Sequence, residues 1–376
     1  MVKREVLEIK KQFKPSECTI SRLCTCYVDG EKNVKAVTTD AFLSLPEEDC
    51  FKYFEIFRKA LSGSLGKSLI NLDFPLESEK EGGAQEFLLR LRDSGLKDEE
   101  LKEEFYQKVI ENFDYVGNYV ILLADSTYDI PVKTLDGLTM DDASDEVYHY
   151  ILCCICPVEL SKPGLSYDEK KARFENRFRD WVVRMPETAF LFPAFNDRSA
   201  DIHSCLYYAK DGKDLHHPFV EGVLACPLPL AAEEQKISFQ GIITDTLGES
   251  CDYRTVMTIH ENLNELLEES KDAEEPLVLN KEQIRDLFEK SGVDAETMEK
   301  FDENFNQSIG EKCELVATNV TAKTFQVKMP SVVIKVDPEM AHLVETKEID
   351  GRKCLVVAIE GGVEVNGIVI KDEETE

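Results

Sequence analysis

The first part of the chain switches between helical and strand patterns of apolar residues. Val6, Ile9 and Phe13 are spaced as on one face of a helix. Stretches rich in residues that favour strands, 19–28 and 34–38, flank Asp29-Gly30-Glu31, and Asp-Gly is a strong hairpin-turn signal. The pattern therefore predicts a helix over 2–13 followed by a β-hairpin.

The pattern continues as a mixture of helices and strands up to about residue 212. It predicts a helix from about Leu45 to Leu61. Up to residue 125 it then predicts a strand at 67–74, helices at 84–93 and 98–113, and a strand at 118–125. An acidic stretch then precedes a strand at 147–158, a helix at 167–184, and strands at 188–195 and 201–208. Strands and helices do not alternate regularly, which predicts an α+β fold with a largely antiparallel sheet.

The remainder of the chain reads first as helices and then as short strands. Helices are predicted at 231–247, 252–269, 280–291 and 294–309, and strands at 313–318, 323–328, 331–337, 344–349, 353–359 and 363–370. The charged stretch 270–276 ends in proline and resembles a linker. We therefore predict an α+β N-terminal domain at 1–212, a helical segment at 213–272 and a small α+β C-terminal domain at 273–376.

Charge narrows the range of partners. The 376 residues carry a formal net charge of -30, and a field of that sign repels membrane surfaces and phosphate backbones. Nucleic acid is then expected to bind only through a local basic patch. The N-terminus lacks the apolar run of a secretory signal and no 18-residue apolar stretch occurs, so the sequence predicts a cytoplasmic protein without membrane contact.

The chain has 12 cysteines, which such a compartment would keep as free thiols. Cys24 and Cys26 lie on one predicted strand, and Cys153, Cys154 and Cys156 lie in an apolar run. Zinc sites favour a Cys-x2-Cys turn, which these spacings do not provide. Buried structural thiols are therefore expected, with no metal and no cofactor.

The predicted helix at 167–184 is locally basic in an acidic chain. Its apolar face would carry Phe174, Phe178 and Trp181, and its cationic face Lys170, Arg173, Arg177 and Arg184. The cationic face either neutralises carboxylates of the protein itself or binds an anion. Arginine suits an anion because its guanidinium makes paired hydrogen bonds, so Arg173, Arg177 and Arg184 are the candidate anion ligands.

A polar loop, 196–204, follows between two apolar strands. Asp197, Arg198, Asp201 and His203 are candidate catalytic residues, because carboxylates and histidine can transfer protons and arginine can stabilise negative charge. The alternative is a plain hairpin connection in which Asn and Asp side chains form turns.

Several stretches resemble the uncharacterised Firmicutes family catalogued as domain of unknown function 4317. They are Gln12–Pro15, Cys26–Lys32, Phe51–Lys59, Arg179–Val183, Phe192–Ser199 and Glu364–Ile368. The resemblance covers essentially the whole chain and implies a bacterial cytoplasmic protein, but no activity. The order of elements over 220–370 is also similar to the C-terminal half of bacterial nucleoid-associated proteins, which is an analogy at the level of the fold.

These observations favour a non-catalytic binding or scaffold protein, with a partner that is a protein or a component of the nucleoid. Whether the chain is an enzyme stays open. The alternative function is a hydrolase that acts on a phosphate-bearing substrate through the 196–204 loop. A third hypothesis is that the acidic surface mimics nucleic acid and so inhibits a basic partner. Oligomers are compatible with each of these functions.

Overall fold

The computed structural model describes residues 1–133, 139–310, 314–321, 324–337, 340, 343–358, 363–365 and 368–370. The chain forms two compact units, Met1–Glu234 with Ala273–Pro276, and Gln235–Asp272 with Leu277–Glu376. The predicted helical segment 213–272 is thus divided between them. Its first part belongs to the first unit because Leu215, Phe219 and Leu224 are buried in that unit's core.

The first unit contains one large antiparallel sheet and two short two-stranded sheets. Its strands are β1 (Ile20–Val28), β2 (Val34–Ala41), β3 (Leu69–Asp73), β4 (Asn118–Lys133), β5 (Thr139–Leu160), β6 (Leu165–Asp168), β7 (Arg173–Asn176), β8 (Trp181–Val183), β9 (Thr188–Phe192), β10 (Ala194–Asn196), β11 (Ser199–Asp201) and β12 (Ser204–Ala209). The large sheet has the order β2-β1-β4-β5-β9-β12-β3, and β8 also pairs with β5. The predicted α+β class with a largely antiparallel sheet is confirmed.

Helices cover both faces of the large sheet. They are α1 (Lys3–Lys10), α2 (Glu47–Ala60), α3 (Ala84–Asp93), α4 (Glu99–Asn112) and α5 (His217–Phe219), which continues as one π-helical turn over Val220–Leu224. Side chains of α3, α4 and α5 share one apolar core with one sheet face, and side chains of α1 and α2 share a second core with the other. Helices on two faces explain why the central strands are apolar at consecutive positions.

Strand β5 shows this two-sided burial directly. Ile151, Cys153 and Ile155 belong to the first core, and Leu152 and Cys154 belong to the second. Successive side chains of a strand point to opposite faces, so an uninterrupted apolar run is expected only where both faces are covered. The strand is longer than the predicted 147–158, because pairing with β4 extends it to Thr139. Residues 134–138 of the predicted acidic stretch lie outside the described residues.

The second unit is helical around its core, with short hairpins. Its helices are α6 (Ala232–Leu247, belonging to this unit from Gln235), α7 (Tyr253–Glu269), α8 (Lys281–Lys290), α9 (Ala295–Met298), α10 (Phe301–Ile309) and α11 (Ala317–Val320). Its strands are β13 (Val278–Leu279), β14 (Leu315–Val316), β15 (Phe325–Met329), β16 (Val332–Val336), β17 (Val344–Ile349), β18 (Arg352–Val357), β19 (Val363–Val365) and β20 (Ile368–Ile370). The core of this unit contains Phe239, Ile259, Phe288 and Phe301.

The predicted helix at 167–184 is wrong. The segment forms β6, a turn, β7 and β8 instead. Asp168 stabilises the turn by accepting hydrogen bonds from the backbone N–H groups of Lys170 and Lys171, and Ala172 has a left-handed φ of 47°. A helical cationic face consequently does not form.

Candidate functional site

Residues 161–185, here called the arm, run out from strand β5 and return to it. At the base of the arm Leu160 pairs with Trp181, and beyond it the backbone N–H of Ser161 donates to the carbonyl of Asp180. Further out, Arg177 donates its backbone N–H to the carbonyl of Gly164. Strands β6 and β7 complete the arm as a separate two-stranded sheet. The arm is therefore a two-stranded extension of β5 and β8.

The outer part of the arm separates apolar from charged side chains. Leu165, Tyr167 and Phe174 share one face of the β6–β7 pair, because Tyr167 lies opposite Phe174 and strand side chains alternate. The Tyr167 and Phe174 rings contact each other with centroids 5.4 Å apart. Arg173 and Glu175 lie on the other face. Local alternation, rather than helical spacing, is the sequence signal that would have revealed these strands.

The arm exposes an unusual amount of apolar surface. Phe178 is 91% exposed, Phe174 is 70% exposed, and Trp181, the single tryptophan of the chain, is 55% exposed. The other exposed large apolar residues of the arm are Leu165, Tyr167, Val182, Val183 and Met185. Single exposed apolar side chains are common on proteins, but eight within one short segment are typical of a surface that binds another molecule.

The arm also differs in charge from the rest of the chain. It contains seven basic and four acidic residues, a formal net charge of +3, so the remaining residues carry -33. Of the predicted anion ligands, Arg173 pairs with Glu175, and Arg184 Nε lies 2.9 Å from an oxygen of Glu159. Arg177 has no carboxylate partner within the described part of the chain. The structure therefore leaves Arg177 as the most available of the three.

The polar loop 196–204 is a tight hairpin between β10 and β11. Asn196 pairs with Ser199, and the two turn residues Asp197 and Arg198 have φ values of 50° and 58°. Positive φ at both central positions is the geometry that two-residue hairpins favour, because it matches the strand twist. The segment is therefore a hairpin, and catalytic roles for its residues stay a prediction.

Arg198 is held by groups far away in the sequence. Its guanidinium lies 2.9 Å from an oxygen of Glu8 and donates a 3.0 Å hydrogen bond to the carbonyl of Pro131. Tyr128 donates a further hydrogen bond of 2.8 Å to Glu8. The side chains of Arg198 and Glu8 are only 20% and 18% exposed. This cluster ties α1 to the hairpin and to the end of β4.

Asp201 and His203 have partners of their own. Asp201 accepts hydrogen bonds from Asn196, from Ser204 and from the backbone of His203. Burial opposes ionisation of Asp201, but these donated hydrogen bonds outweigh it and lower its pKa. Asp197, at the hairpin tip, is exposed. Of the predicted catalytic side chains, Arg198 thus contacts Glu8 and His203 contacts Glu79. Among the described residues, no hydrogen bond or ion pair joins Arg198 to Asp201 or His203.

His203 offers a pH-dependent test of these contacts. A Glu79 oxygen lies 2.7 Å from Nδ1, and this hydrogen bond with the accompanying charge attraction raises the histidine pKa above 6.5. Because the folded-state pKa is raised, the stabilisation is fully present below pH 6.5 and disappears as the pH rises through the folded-state value. Titration by NMR should show a pKa above 6.5 for His203 that falls in Glu79→Gln.

Glu77→Gln is the control for this titration, since Glu77 is exposed, lies two residues from Glu79, and forms no hydrogen bond or ion pair with His203 among the described residues. It should leave the His203 titration nearly unchanged. An identical titration in wild type and Glu79→Gln would contradict the assigned ion pair.

The cysteines lie mainly in the two cores of the first unit. Seven of the described cysteines are buried, and all described cysteines are free thiols. Burial raises the pKa of the Cys26 thiol to about 11 and that of Cys153 further. Reactive cysteines instead have lowered pKa values, so these side chains serve as small apolar core residues. Within the described residues, no group of three or more His, Cys, Asp and Glu is placed to hold a metal ion.

One polar cluster was missed from the sequence. The buried carboxylate of Asp125 accepts a hydrogen bond from the Ser21 hydroxyl and lies 2.6 Å from Nε2 of His149. The carboxylate stands between the hydroxyl and the imidazole, whereas nucleophilic catalysis needs the imidazole to contact the hydroxyl. The cluster therefore fixes neighbouring strands, and its members are too far apart in sequence for spacing to reveal them.

Taken together, the first unit is a three-layer α+β domain with an apolar and basic arm. The chain matches the model of the family described as Domain of unknown function (DUF4317) over residues 1–368, and it belongs to that family. No curated protein matches the chain. Among the helices of the described residues, none is both long and apolar enough to span a bilayer.

Proposed function

We propose that this protein is a non-catalytic binding or scaffold protein, and that its arm binds an acidic surface of another protein. The observation that carries the proposal is the cluster of eight exposed apolar side chains on a segment of net charge +3. The centres of protein interfaces are enriched in aromatic residues, methionine and arginine. Phe178, Trp181, Met185 and Arg177 give the arm this composition.

Charge favours a protein partner over a nucleic acid. Proteins that bind DNA neutralise phosphates with several lysines and arginines, and like charge elsewhere opposes them. Three of the seven cations of the arm, Lys171, Arg173 and Arg184, are already paired with carboxylates. The rest of the chain carries -33. Four cations of the arm therefore remain without a carboxylate partner among the described residues. They suit a small acidic area beside the apolar contacts, whereas a long phosphate backbone would also meet the negative charge of the rest of the chain.

The cytoplasm of a Firmicutes bacterium is part of this proposal as the setting, and any association with the nucleoid would be made through the bound protein. The alternative hypothesis of a hydrolase needs Arg198 to hold a developing negative charge. Its guanidinium already contacts Glu8 and the carbonyl of Pro131. Those contacts favour a structural task for Arg198 and make the binding hypothesis the better supported of the two.

The test compares the full-length protein with the double variant Phe178→Ser and Trp181→Ser. Each is tagged and incubated with a nuclease-treated extract of the source organism, and retained proteins are quantified by mass spectrometry. We expect acidic partners to be retained by the wild type and reduced about tenfold or more by the variant, because buried aromatic residues dominate interface energies. Circular dichroism should be unchanged, since both side chains are largely exposed.

The matched control is Leu43→Ser with Leu76→Ser, which removes two side chains, each 74% exposed, outside the arm. It should retain the same partners as the wild type. The proposal fails if the arm variant retains them equally well. It also fails if the arm variant alters only self-association in the ultracentrifuge, or only nucleic acid that the nuclease removes.

A further inference from the structure

The second unit contains a cavity of about 530 Å³ that is separate from the arm. It is lined by residues of α6, α7 and β15, together with Val320 at the end of α11. Its size lies within the range of sites for small organic molecules. On α7 the lining residues Tyr253, Val256, His260 and Asn264 recur at helical spacing, so one face of that helix forms a wall.

The charged groups of the lining have both signs. Lys236 on α6 and Lys328 on β15 line the cavity, and neither has a carboxylate partner within the part of the chain that the structure describes. Glu261 on α7 also lines the cavity and has no cationic partner there. The remaining acid, Asp252, caps α7 by accepting a 2.8 Å hydrogen bond from the backbone of Thr255. Two ammonium groups and one carboxylate are therefore available to a ligand.

The cavity lining also contains apolar side chains and one histidine. Val256, Met257 and Val327 supply apolar surface. The ring of His260 packs edge-on against Phe239, and burial lowers the pKa of this histidine. Its buried Nδ1 has no hydrogen-bond partner among the residues that the structure describes. Buried polar atoms are normally hydrogen-bonded, so an unpartnered one beside a cavity indicates a group that a ligand can satisfy.

We propose that this cavity binds a small zwitterion with an apolar body, such as a short peptide. The ligand's carboxylate would contact Lys236 and Lys328, its ammonium would contact Glu261, and its side chains would pack on Val256 and Met257. A ligand of a single charge would leave one of these groups without a partner and would lose a charge-assisted contact. This inference goes beyond the proposed function and does not depend on the arm.

The probe is the dipeptide leucyl-leucine, titrated into the full chain by calorimetry. Two analogues test the charges: the N-acetylated dipeptide lacks the ammonium, and the C-terminal amide lacks the carboxylate. We expect the dipeptide to bind. Each analogue should bind with an affinity that is lower by about tenfold or more, because each loses one charge-assisted contact. Equal binding of all three compounds, or no binding at millimolar dipeptide, would overturn the proposal.

Variants locate the site. Lys328→Met and Glu261→Gln should each weaken binding about tenfold, for the same loss of a charged contact. Their matched controls are Lys335→Met on strand β16 and Glu265→Gln one turn along α7, which lie outside the cavity lining and should bind as the wild type does. Unchanged binding in both lining variants would show that the dipeptide binds elsewhere and would refute the assignment. Equal loss in lining and control variants would refute it as well.

Discussion

Replacing Tyr148 by alanine is expected to destabilise the first unit by about 3 to 5 kcal/mol, the usual cost of deleting a buried aromatic side chain. Tyr148 is fully buried on strand β5, with its ring stacked 4.8 Å from Tyr150 and tilted 4.8 Å from Phe195. Its hydroxyl donates a 2.6 Å hydrogen bond to the carbonyl of Pro193. The substitution removes both packing and a satisfied polar contact.

Urea unfolding monitored by circular dichroism measures the decrease in the free energy of unfolding. Hydrogen exchange of peptides from β5 assigns this decrease to the first unit. Tyr148→Phe is the control, because it keeps the ring contacts and removes only the hydroxyl. It should cost about 1 to 3 kcal/mol, the range for leaving a buried carbonyl without its donor. Equal losses in the two variants would mean that the ring packing contributes little.

Arg198→Met is expected to destabilise the same unit by about 2 to 3 kcal/mol, because it leaves Glu8 as a poorly solvated charge. The pair is about one-fifth exposed, so this value lies below the cost of breaking a fully buried pair. Tyr128 would still donate to Glu8 and would compensate only part of the charge.

A double-mutant cycle isolates the contact between the two side chains. Glu8→Gln combined with Arg198→Met should cost less than the sum of the single variants, since the double variant leaves no unpaired charge. Arg177→Met is the control from the arm. This cation is exposed and has no carboxylate partner in the described part of the chain, so its loss should change stability by less than about 0.5 kcal/mol. Strict additivity in the cycle would exclude a structural ion pair.

Turns and helix starts whose sequence determinants lie close to them were predicted well. The hairpin of β1 and β2 was expected from Asp29-Gly30, and its loop runs to Asn33, with the Asp29 carboxylate accepting hydrogen bonds from the backbone N–H groups of Glu31 and Asn33. Pro46 precedes the acidic first turn of α2. In both cases the determinants lie within a few residues of the structure that they specify. The consecutive apolar residues of β5 likewise indicate a strand with both faces buried.

The arm could not be predicted in the same way. Phe174, Phe178 and Trp181 have the spacing of a helical face, so the local pattern favours a helix. What decides the conformation is pairing of β8 with β5 and of β6 with β7, together with the turn at Asp168. Backbone pairing with a sheet that already exists outweighs a weak helical preference.

The contacts of the candidate catalytic residues could likewise be predicted only in part from the sequence. The hairpin at Asp197 and Arg198 agrees with one of the two interpretations of the sequence, because Asn196 and Asp197 are residue types that favour turns. The partners of the loop are Glu8 for Arg198 and Glu79 for His203, and both are distant in sequence. The residue types of the loop indicate a polar cluster, but the carboxylate that pairs with each cationic side chain is known only from the fold.

The order of strands has a consequence for folding during synthesis. Among the described strands, β3 at the sheet edge pairs with β12 alone, so Leu69–Asp73 leaves the ribosome long before its partner Ser204–Ala209. Pairing across so long a loop has a high entropic cost and raises the contact order, which slows folding. Until β12 emerges, the nascent chain carries an apolar strand without a neighbour, a state that favours aggregation and attracts chaperones.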